Sequence, residues 1–541
     1  MRTASWLKQV GEHKELSTPE IATAEITVPS APAKRRGKAL THTAYLNGFA
    51  SLLDTVVKGG VMAVVTPILV AGLGSSLFGI WQILVRLVTY MHAADGRPTQ
   101  ALKWVIANRQ SIDDDETKRR HVGSAMGVWL LFMPLLIAIS AVLVWISPHM
   151  TRVSPEQFTS IRITCGLLVI NFLLIQLVSL PEAVLRGMNL GYKRLGLQAG
   201  LNVIGGALTI GALYAGSGLI GLAAAQAILT ALTGLLFLAV VKKYVAWYGV
   251  ARPAFSEVRS FLKLSVWWFA WTTIHKFIMA SDIVILGVVA SASAVTTYSL
   301  TGFAGVTLLS LVTTVLAAVL PGLGSVIGEK QFDRAVSLRN EMMAASWVLL
   351  ATIGTTILLW NRSFLHLWVG DQHYAGPWTN LLMVLMIVQL IFIRNDAYVI
   401  DLTLQLREKV LVALLAVPLS VGLSAVLIPR YGIAGLCVGM IVGRMTLTVS
   451  YPFVINRLFG RRPLPNIGAA VRPALTMLSM FGMATYLGEQ LLADSWIVWA
   501  MAAGLTGTLA FGIALLGGLS RDVRHSLGKR LGMLRTVFEA R

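Results

Sequence analysis

Polar connections cut the chain into fourteen apolar runs, each close to the roughly 20 residues that a helix needs to cross a bilayer. The runs cover 44–71, 76–95, 122–147, 160–183, 195–215, 218–241, 261–289, 295–320, 343–360, 377–402, 410–429, 432–456, 468–488 and 496–518. Hydrophobic residues make up 56% of the 541 and charged residues 13%, with a mean hydropathy of +0.71. A soluble domain carries about 25% charge, and globules this apolar could not cover their surface in water. Lipid is therefore the main solvent, and the expected fold is an all-α polytopic membrane protein of about fourteen transmembrane helices.

The formal net charge of +20 raises nucleic acid as a partner. The basic residues, however, form no stripe interleaved with aromatics. They gather in every second connection, as in polytopic membrane proteins. With the N-terminus in the cytoplasm, the cytoplasmic segments and the adjoining span ends hold 36 of the 45 Lys and Arg residues. The outer loops and the adjoining span ends hold only Arg152, Arg162, Arg362 and Arg430. One missed span would invert every later loop, so the asymmetry implies an even span count with both termini cytoplasmic. Trp145, Trp360, Trp368, Trp378 and Trp496 flank the outer connections as an interfacial belt. Those connections are short apart from 148–159 and 361–376, which leaves no room outside for a catalytic or receptor domain.

Cys165 and Cys437 both lie inside apolar runs, which excludes a disulfide framework and a cysteine-based metal cluster. Neither Gly-x-x-x-x-Gly-Lys-Ser/Thr nor His-Glu-x-x-His occurs, so the chain reads as no enzyme, with no cofactor or metal. A membrane glycosyltransferase would need acids in a sizeable loop. The run Asp113-Asp114-Asp115-Glu116 sits beside Lys118, Arg119 and Arg120 and reads as a solvated charge cluster. Residues 1–41, with Glu12, Glu15, Glu20 and Glu25, are neither signal peptide nor transit peptide. They read as a disordered cytoplasmic tail ending in the basic collar Lys34, Arg35, Arg36 and Lys38. A scaffold docking through that tail is a non-transporting alternative.

Gly218-Leu-Ile-Gly-Leu-Ala-Ala aligns with Gly432-Ile-Ala-Gly-Leu-Cys-Val at an offset of 214. The same offset sets Leu190-Gly-Tyr-Lys-Arg beside Leu404-Gln-Leu-Arg-Glu and Glu182 beside Asp396. An offset of 218 sets Lys58 opposite Lys276. Each copy holds six spans, an even number, so both enter the membrane in the same direction as parallel repeats. The expected organisation is a basic tail 1–41, one lobe over 42–243, a second over 258–458, two further spans within 467–518 and a basic tail 519–541. Parallel repeats place a substrate site at the lobe interface near the midplane and rock about it. Pro67, Pro134, Pro181, Pro321 and Pro418 break intrahelical bonds within or at the ends of spans.

Charge in mid-bilayer costs about 2.5 kcal/mol or more unless it faces protein or water. Asp54 and Lys58 lie on span 1 at i,i+4, acid first, the better order for pairing. Span 7 carries His275, Lys276 and Asp282, and Arg86 lies on span 2. Glu182 is on span 4, Arg394 and Asp396 are on span 10, and Arg444 is on span 12. Lys58, Arg86 and Lys276 are candidate cations of a polar cleft, with guanidinium and ammonium groups suited to phosphate. Asp54, His275, Asp282, Glu182, Arg394, Asp396 and Arg444 are coupling or gate candidates. The bland readings stand beside these: Lys58 neutralising Asp54, Arg86 snorkelling to headgroups, and Glu182 and Asp396 as packing groups near span ends.

Pro67-Ile-Leu-Val-Ala-Gly-Leu-Gly followed by Phe78-Gly-Ile-Trp-Gln resembles the first hairpin of bacterial polysaccharide (Wzx-type) flippases. These belong to the multidrug/oligosaccharidyl-lipid/polysaccharide exporter superfamily. Ala94-Asp95-Gly96 with Gln100-Ala101-Leu102 resembles the family's turn after span 2, and Gly432-Ile-Ala-Gly-Leu resembles its span 12 opening. The long tail and Asp95-Gly96-Arg97 depart from that pattern. The resemblance implies export of a polyprenyl-diphosphate-linked saccharide by alternating access, in a monomer of the bacterial inner membrane. Partners would be membrane lipids and a polysaccharide polymerase complex. Cations of spans 1, 2, 7 and 8 serve the substrate in relatives, which supports Lys58, Arg86 and Lys276. A Na⁺- or H⁺-coupled multidrug antiporter, with carboxylates such as Asp54 and Asp282 dominating the cleft, and a peptidoglycan-precursor flippase are the alternatives.

Overall fold

A computed structural model describes residues 33–96, 98–109, 114–188, 190, 192–259, 261–262, 281–317, 320–403, 406–460, 468–521 and 524–525. His275 and Lys276 lie outside the described residues, as do residues 1–32. The chain is an all-α polytopic membrane protein, and no strand occurs among the described residues. Its first half comprises α1 (Ala33–Thr89), α2 (Pro98–Arg109), α3 (Asp115–Thr151), α4 (Phe158–Gly187), α5 (Tyr192–Tyr214) and α6 (Gly218–Tyr244). Helical residues 281–289 (α7) lead into α8 (Ala292–Thr301), α9 (Phe303–Ala317), α10 (Leu320–Gly328) and α11 (Phe332–Trp368). Then come α12 (Pro377–Leu402), α13 (Leu406–Leu458), α14 (Gly468–Gly488) and α15 (Trp496–Ile513).

The chain divides into two units between Leu46 and Asn47, and the first is described from Ala33 onward. The helix opens at Ala33, inside the segment expected as disordered tail 1–41. Lys34, Arg35, Arg36 and Lys38 of the collar are good helix formers, and the helix runs on through Gly37.

Nine helices among the described residues are long and apolar enough to cross a membrane. Two of these hold two expected spans each. Gly74 (φ 75°) breaks α1 between the runs 44–71 and 76–95, and Gly432 (φ 55°) breaks α13 between 410–429 and 432–456. Glycine adopts positive φ without a Cβ clash, so the chain turns there within one or two residues. Leu131, Ile137 and Val142 of α3 and Leu505 and Leu509 of α15 are exposed, as lipid-facing side chains must be.

The internal repeat is written in the backbone. Gly218 opens α6 at φ 52° and its counterpart Gly432 opens the second half of α13 at φ 55°. Three residues on, Gly221 abuts the connection before it and Gly435 abuts the end of the preceding span. A Cβ on Gly221 would lie 2.4 Å from Ser217 Cβ, and one on Gly435 2.4 Å from the Leu427 carbonyl oxygen. The fold is thus two six-helix lobes plus two carboxy-terminal helices. Those last helices are more than an appendage. Trp360 Nε1 donates to Thr506 Oγ1 at 2.9 Å, Trp499 Nε1 donates to the Trp360 carbonyl at 3.2 Å, and Arg362 donates to the Glu489 carbonyl at 2.7 Å. Phe481 fills the notch above Gly354.

The helix ends define two sides: a basic side, whose connections carry most Lys and Arg, and a short-loop side. Buried apolar side chains form three clusters. One lies at the basic ends of the first lobe and includes Leu102, Val122, Leu185, Val241 and Trp247. Another lies within the second lobe and α14–α15 and includes Leu323, Ala335, Val399, Tyr451 and Phe481. The third contains residues of both lobes, with Phe78, Ile83 and Phe172 packed among Leu286, Val295, Met386 and Leu436. These residues lie toward the short-loop side; at the basic ends, the shared packing among the described residues is that of Phe261, Val258 and Leu262, at the start of span 7, against the first lobe.

Candidate functional site

Span 1 is an exposed face with one polar ladder. The Lys58 ammonium donates to Asp54 Oδ2 at 2.9 Å, and Asn202 Nδ2 of α5 donates to Asp54 Oδ1 at 2.9 Å. Gln198 Nε2 adds a weaker bond to Asn202 Oδ1 at 3.4 Å. Both carboxylate oxygens are therefore occupied, and the asymmetry lies in exposure: 55% for the Lys58 side chain against 17% for Asp54. The next residue, Gly59, faces Thr307 of α9, so the ladder stands beside the second lobe. The i,i+4 pairing follows from helical spacing. The span 5 partners, Asn202 and Gln198, carry no charge, and nothing in the sequence singles them out.

A second polar group forms where α7, α8 and α13 meet. The Tyr298 hydroxyl donates to Asp282 Oδ2 at 2.7 Å. Arg444, 3% exposed, interacts electrostatically with the same carboxylate, as does Tyr90 from the first lobe. Arg86, one turn before Tyr90, interacts with Tyr90 in turn. The structure thus links Asp282 and Arg444, which the sequence places on spans 7 and 12, and relates Arg86 of span 2 to them through Tyr90. A buried guanidinium without a counter-charge would be costly, and Asp282 supplies one.

Three candidates lie elsewhere, toward the basic side. Asp396 is bound by Arg339 of α11, at 2.7 Å through Nε. Arg394 donates instead to the Tyr398 hydroxyl at 2.9 Å. Glu182 pairs with Arg186 at 2.7 Å. Lys103 of α2 lies close by; burial first, then Arg186, lowers its pKa, with Glu182 partly offsetting. Lys409, fully buried, bonds Asp401 at 2.6 Å. Arg339 and Lys409 were missed as site residues because they stand near span ends, where a basic residue ordinarily meets headgroups.

On the short-loop side the lobes are joined through backbone. Pro67 has no N–H, so the carbonyl four residues earlier, on Ala63, lacks its helical partner. Trp368 Nε1 of the second lobe donates to that oxygen at 2.6 Å. The Thr296 hydroxyl donates to the Ser75 carbonyl at 2.5 Å, and Gly79 leaves no room for a Cβ beside the Ala292 carbonyl. A cavity of about 500 Å³ opens beside this junction, lined by Gly74, Ser75, His366, Trp368, Gln372 and His373 among others. Pro67 marks the free carbonyl in the sequence, but no pattern tells which donor takes it.

Several solved transporter structures share this fold. The lipid II flippase MurJ in an inward closed conformation superposes with a TM-score of 0.63 at 13% identity, covering 87% of this chain and 98% of its own. A multidrug resistance MATE family transporter of the MOP superfamily, inward-facing, gives 0.59 at 13% identity, covering 75% and 98%. The eukaryotic MATE transporter AtDTX14 gives 0.57 at 14% identity, covering 82% and 99%. At such identities the likeness establishes the fold. No protein-family model matches the sequence, and no curated protein matches it either.

Proposed function

We propose that the chain is a flippase that carries a polyprenyl-diphosphate-linked saccharide from the cytoplasmic to the outer leaflet by alternating access. The observation that carries this reading is the span 1 ladder. Asn202 holds the Asp54 carboxylate on the protein side, while Lys58 presents an exposed ammonium beside the second lobe. A diphosphate leaving the headgroup region needs charge-assisted donors to offset its desolvation, and Lys58 is placed to supply one. Lys276, its counterpart in the repeat, is the second cation of the proposal, and Arg86 the third. The fold shared with a lipid II flippase supports the substrate class, a lipid-linked saccharide.

The positive-inside rule makes the basic side cytoplasmic, in a bacterial inner membrane with both termini inside. Under that orientation, lobes joined at the short-loop side describe an inward-facing state. Alternating access then requires the Trp368–Ala63 bond to break and the basic ends of the lobes to close.

In a strain lacking the gene, polyprenyl-linked saccharide accumulates on the cytoplasmic side while surface polysaccharide falls. Lys58→Ala and Lys276→Ala reproduce that phenotype with the protein still present in the membrane; full export by the double variant would sink the proposal. One observation favours a second reading, a cation-coupled multidrug antiporter: Asp282 accepts from Tyr298 and interacts electrostatically with Tyr90 of the first lobe. That reading predicts unchanged saccharide, raised sensitivity to cationic drugs, and loss of function in Asp54→Asn and Asp282→Asn instead.

A further inference from the structure

The connection between the lobes has two unlike faces. Its inner face is fixed to the first lobe. Arg119 Nε donates to the Trp247 carbonyl at 2.8 Å, and the Ala251 N–H donates to the Arg119 carbonyl at 3.2 Å. The strap lies so close to α3 that a Cβ on Gly123 would fall 2.0 Å from the Ala251 oxygen. Trp247 is buried, with the Lys118 ammonium over its ring at 5.8 Å. Glu257 caps the following turn by accepting from the Ala254 N–H at 2.9 Å and faces Arg120 at 3.8 Å.

The outer face carries the opposite chemistry. Phe255 is 84% exposed and Val250 58%, and Arg252 and Arg259 are exposed beside them. At the adjoining end of α6 stand exposed Lys242, Lys243 and Tyr244. Glu257 is the only carboxylate in residues 242–259, and it is turned to Arg120. Lys243 stands over the Tyr244 ring at 5.7 Å. Large apolar side chains standing among cations that meet no carboxylate among the described residues, on backbone that the inner face holds in place, suit neither water nor a protein core. They suit a bilayer interface, where apolar groups enter the acyl boundary and cations meet anionic headgroups.

We infer that residues 242–259 form a docking surface for anionic lipid headgroups on the basic side of the membrane, with Phe255 and Val250 inserted and Arg252, Arg259, Lys242 and Lys243 binding phosphate. The surface is independent of what the protein transports. Because the strap is bound to α3 and leads into span 7, an anionic leaflet anchors the first lobe at the point where the second begins.

The test uses the full-length protein in vesicles. Cys165 and Cys437 are both buried, so Phe255→Cys carries a polarity-sensitive fluorophore at one addressable site. The expected result is blue-shifted emission and stronger quenching by brominated phosphatidylglycerol than by brominated phosphatidylcholine at equal bromine content. Replacing Arg252 and Arg259 by Ser weakens that preference roughly fivefold for each cation removed. Both residues are exposed, so the fold is untouched, and Lys242→Ser with Lys243→Ser repeats the test at the helix end. Water-like emission in either vesicle, or equal quenching by the two lipids in the Arg-containing protein, overturns the inference.

Discussion

Glu182 and Asp396 occupy corresponding positions in the two lobes, yet they are held differently. Glu182 takes Arg186 from its own helix, and the pair is partly open, at 23% and 47% exposure. Asp396 takes Arg339 from a neighbouring helix, at 7% and 16% exposure. The contrast extends to spans 5–6 against spans 11–12. In the second lobe Gly439 and Gly443 bring α13 against the backbone of Ser424 and Ser420, with no space for a Cβ. Their counterparts at the repeat offset are Ala225 and Leu229, and Gly205 there meets a Leu229 side chain. Small residues at such a spacing let membrane helices touch backbone to backbone. One topology is therefore built once as a cross-linked block and once with looser, side-chain contacts, and the looser copy presents the exposed Lys58.

The sharpest way to break this contrast is to remove one cation from each lobe. Arg339→Leu strands a buried carboxylate and should cost about 3–5 kcal/mol, whereas Arg186→Leu should cost about 0–1 kcal/mol. Thermal unfolding of the purified variants checks it, and equal shifts would show that the lobes do not differ. Next comes Gly443→Leu, which gives the second lobe the residue of the first. With a Cβ placed 2.3 Å from Ser420 Cα, overpacking of about 1–3 kcal/mol is expected. A variant as stable as the parent would mean that the close approach is dispensable.

Trp368→Phe keeps the ring but loses the donor to Ala63, a bond worth about 0.5–1.5 kcal/mol. Spin labels at Ser76 and Gln372 should then show a larger population of separated lobes, by up to about tenfold. An unchanged distance distribution would remove the bond from the closure.

The smallest effect concerns pH. Burial holds the His373 imidazole below its ordinary 6.5. The unfolded loop therefore binds a proton first as pH falls from 6.5 toward the lower folded value, and stability is lost across that window. Amide exchange of residues 369–376, corrected for intrinsic rate, should rise over the same window and should not do so in His373→Gln.

The span pattern, the repeat and the i,i+4 pair of Asp54 and Lys58 were legible because each depends on spacing along one chain. Tertiary partners were not. Asn202 is an uncharged residue in an apolar run, and only the approach of α5 to α1 makes it a ligand of Asp54. Residues at i,i+2 on a helix do not face each other, so Arg394 and Asp396 need partners elsewhere, but Arg339 and Tyr398 emerge only from the packed helices. Pro67 lies between: the sequence gives the unpartnered carbonyl, and the fold gives the indole.

Gly218 and Gly432 bear on how such a protein tolerates mutation. A side chain at either position would add roughly 1–2 kcal/mol of backbone strain, while most apolar positions between them accept other apolar residues of similar size. Drift can therefore erase nearly every resemblance between the two lobes and leave these two glycines in place. What the copies retain of a common origin is a pair of backbone angles, and an alignment weighted by hydrophobic identity would pass over it.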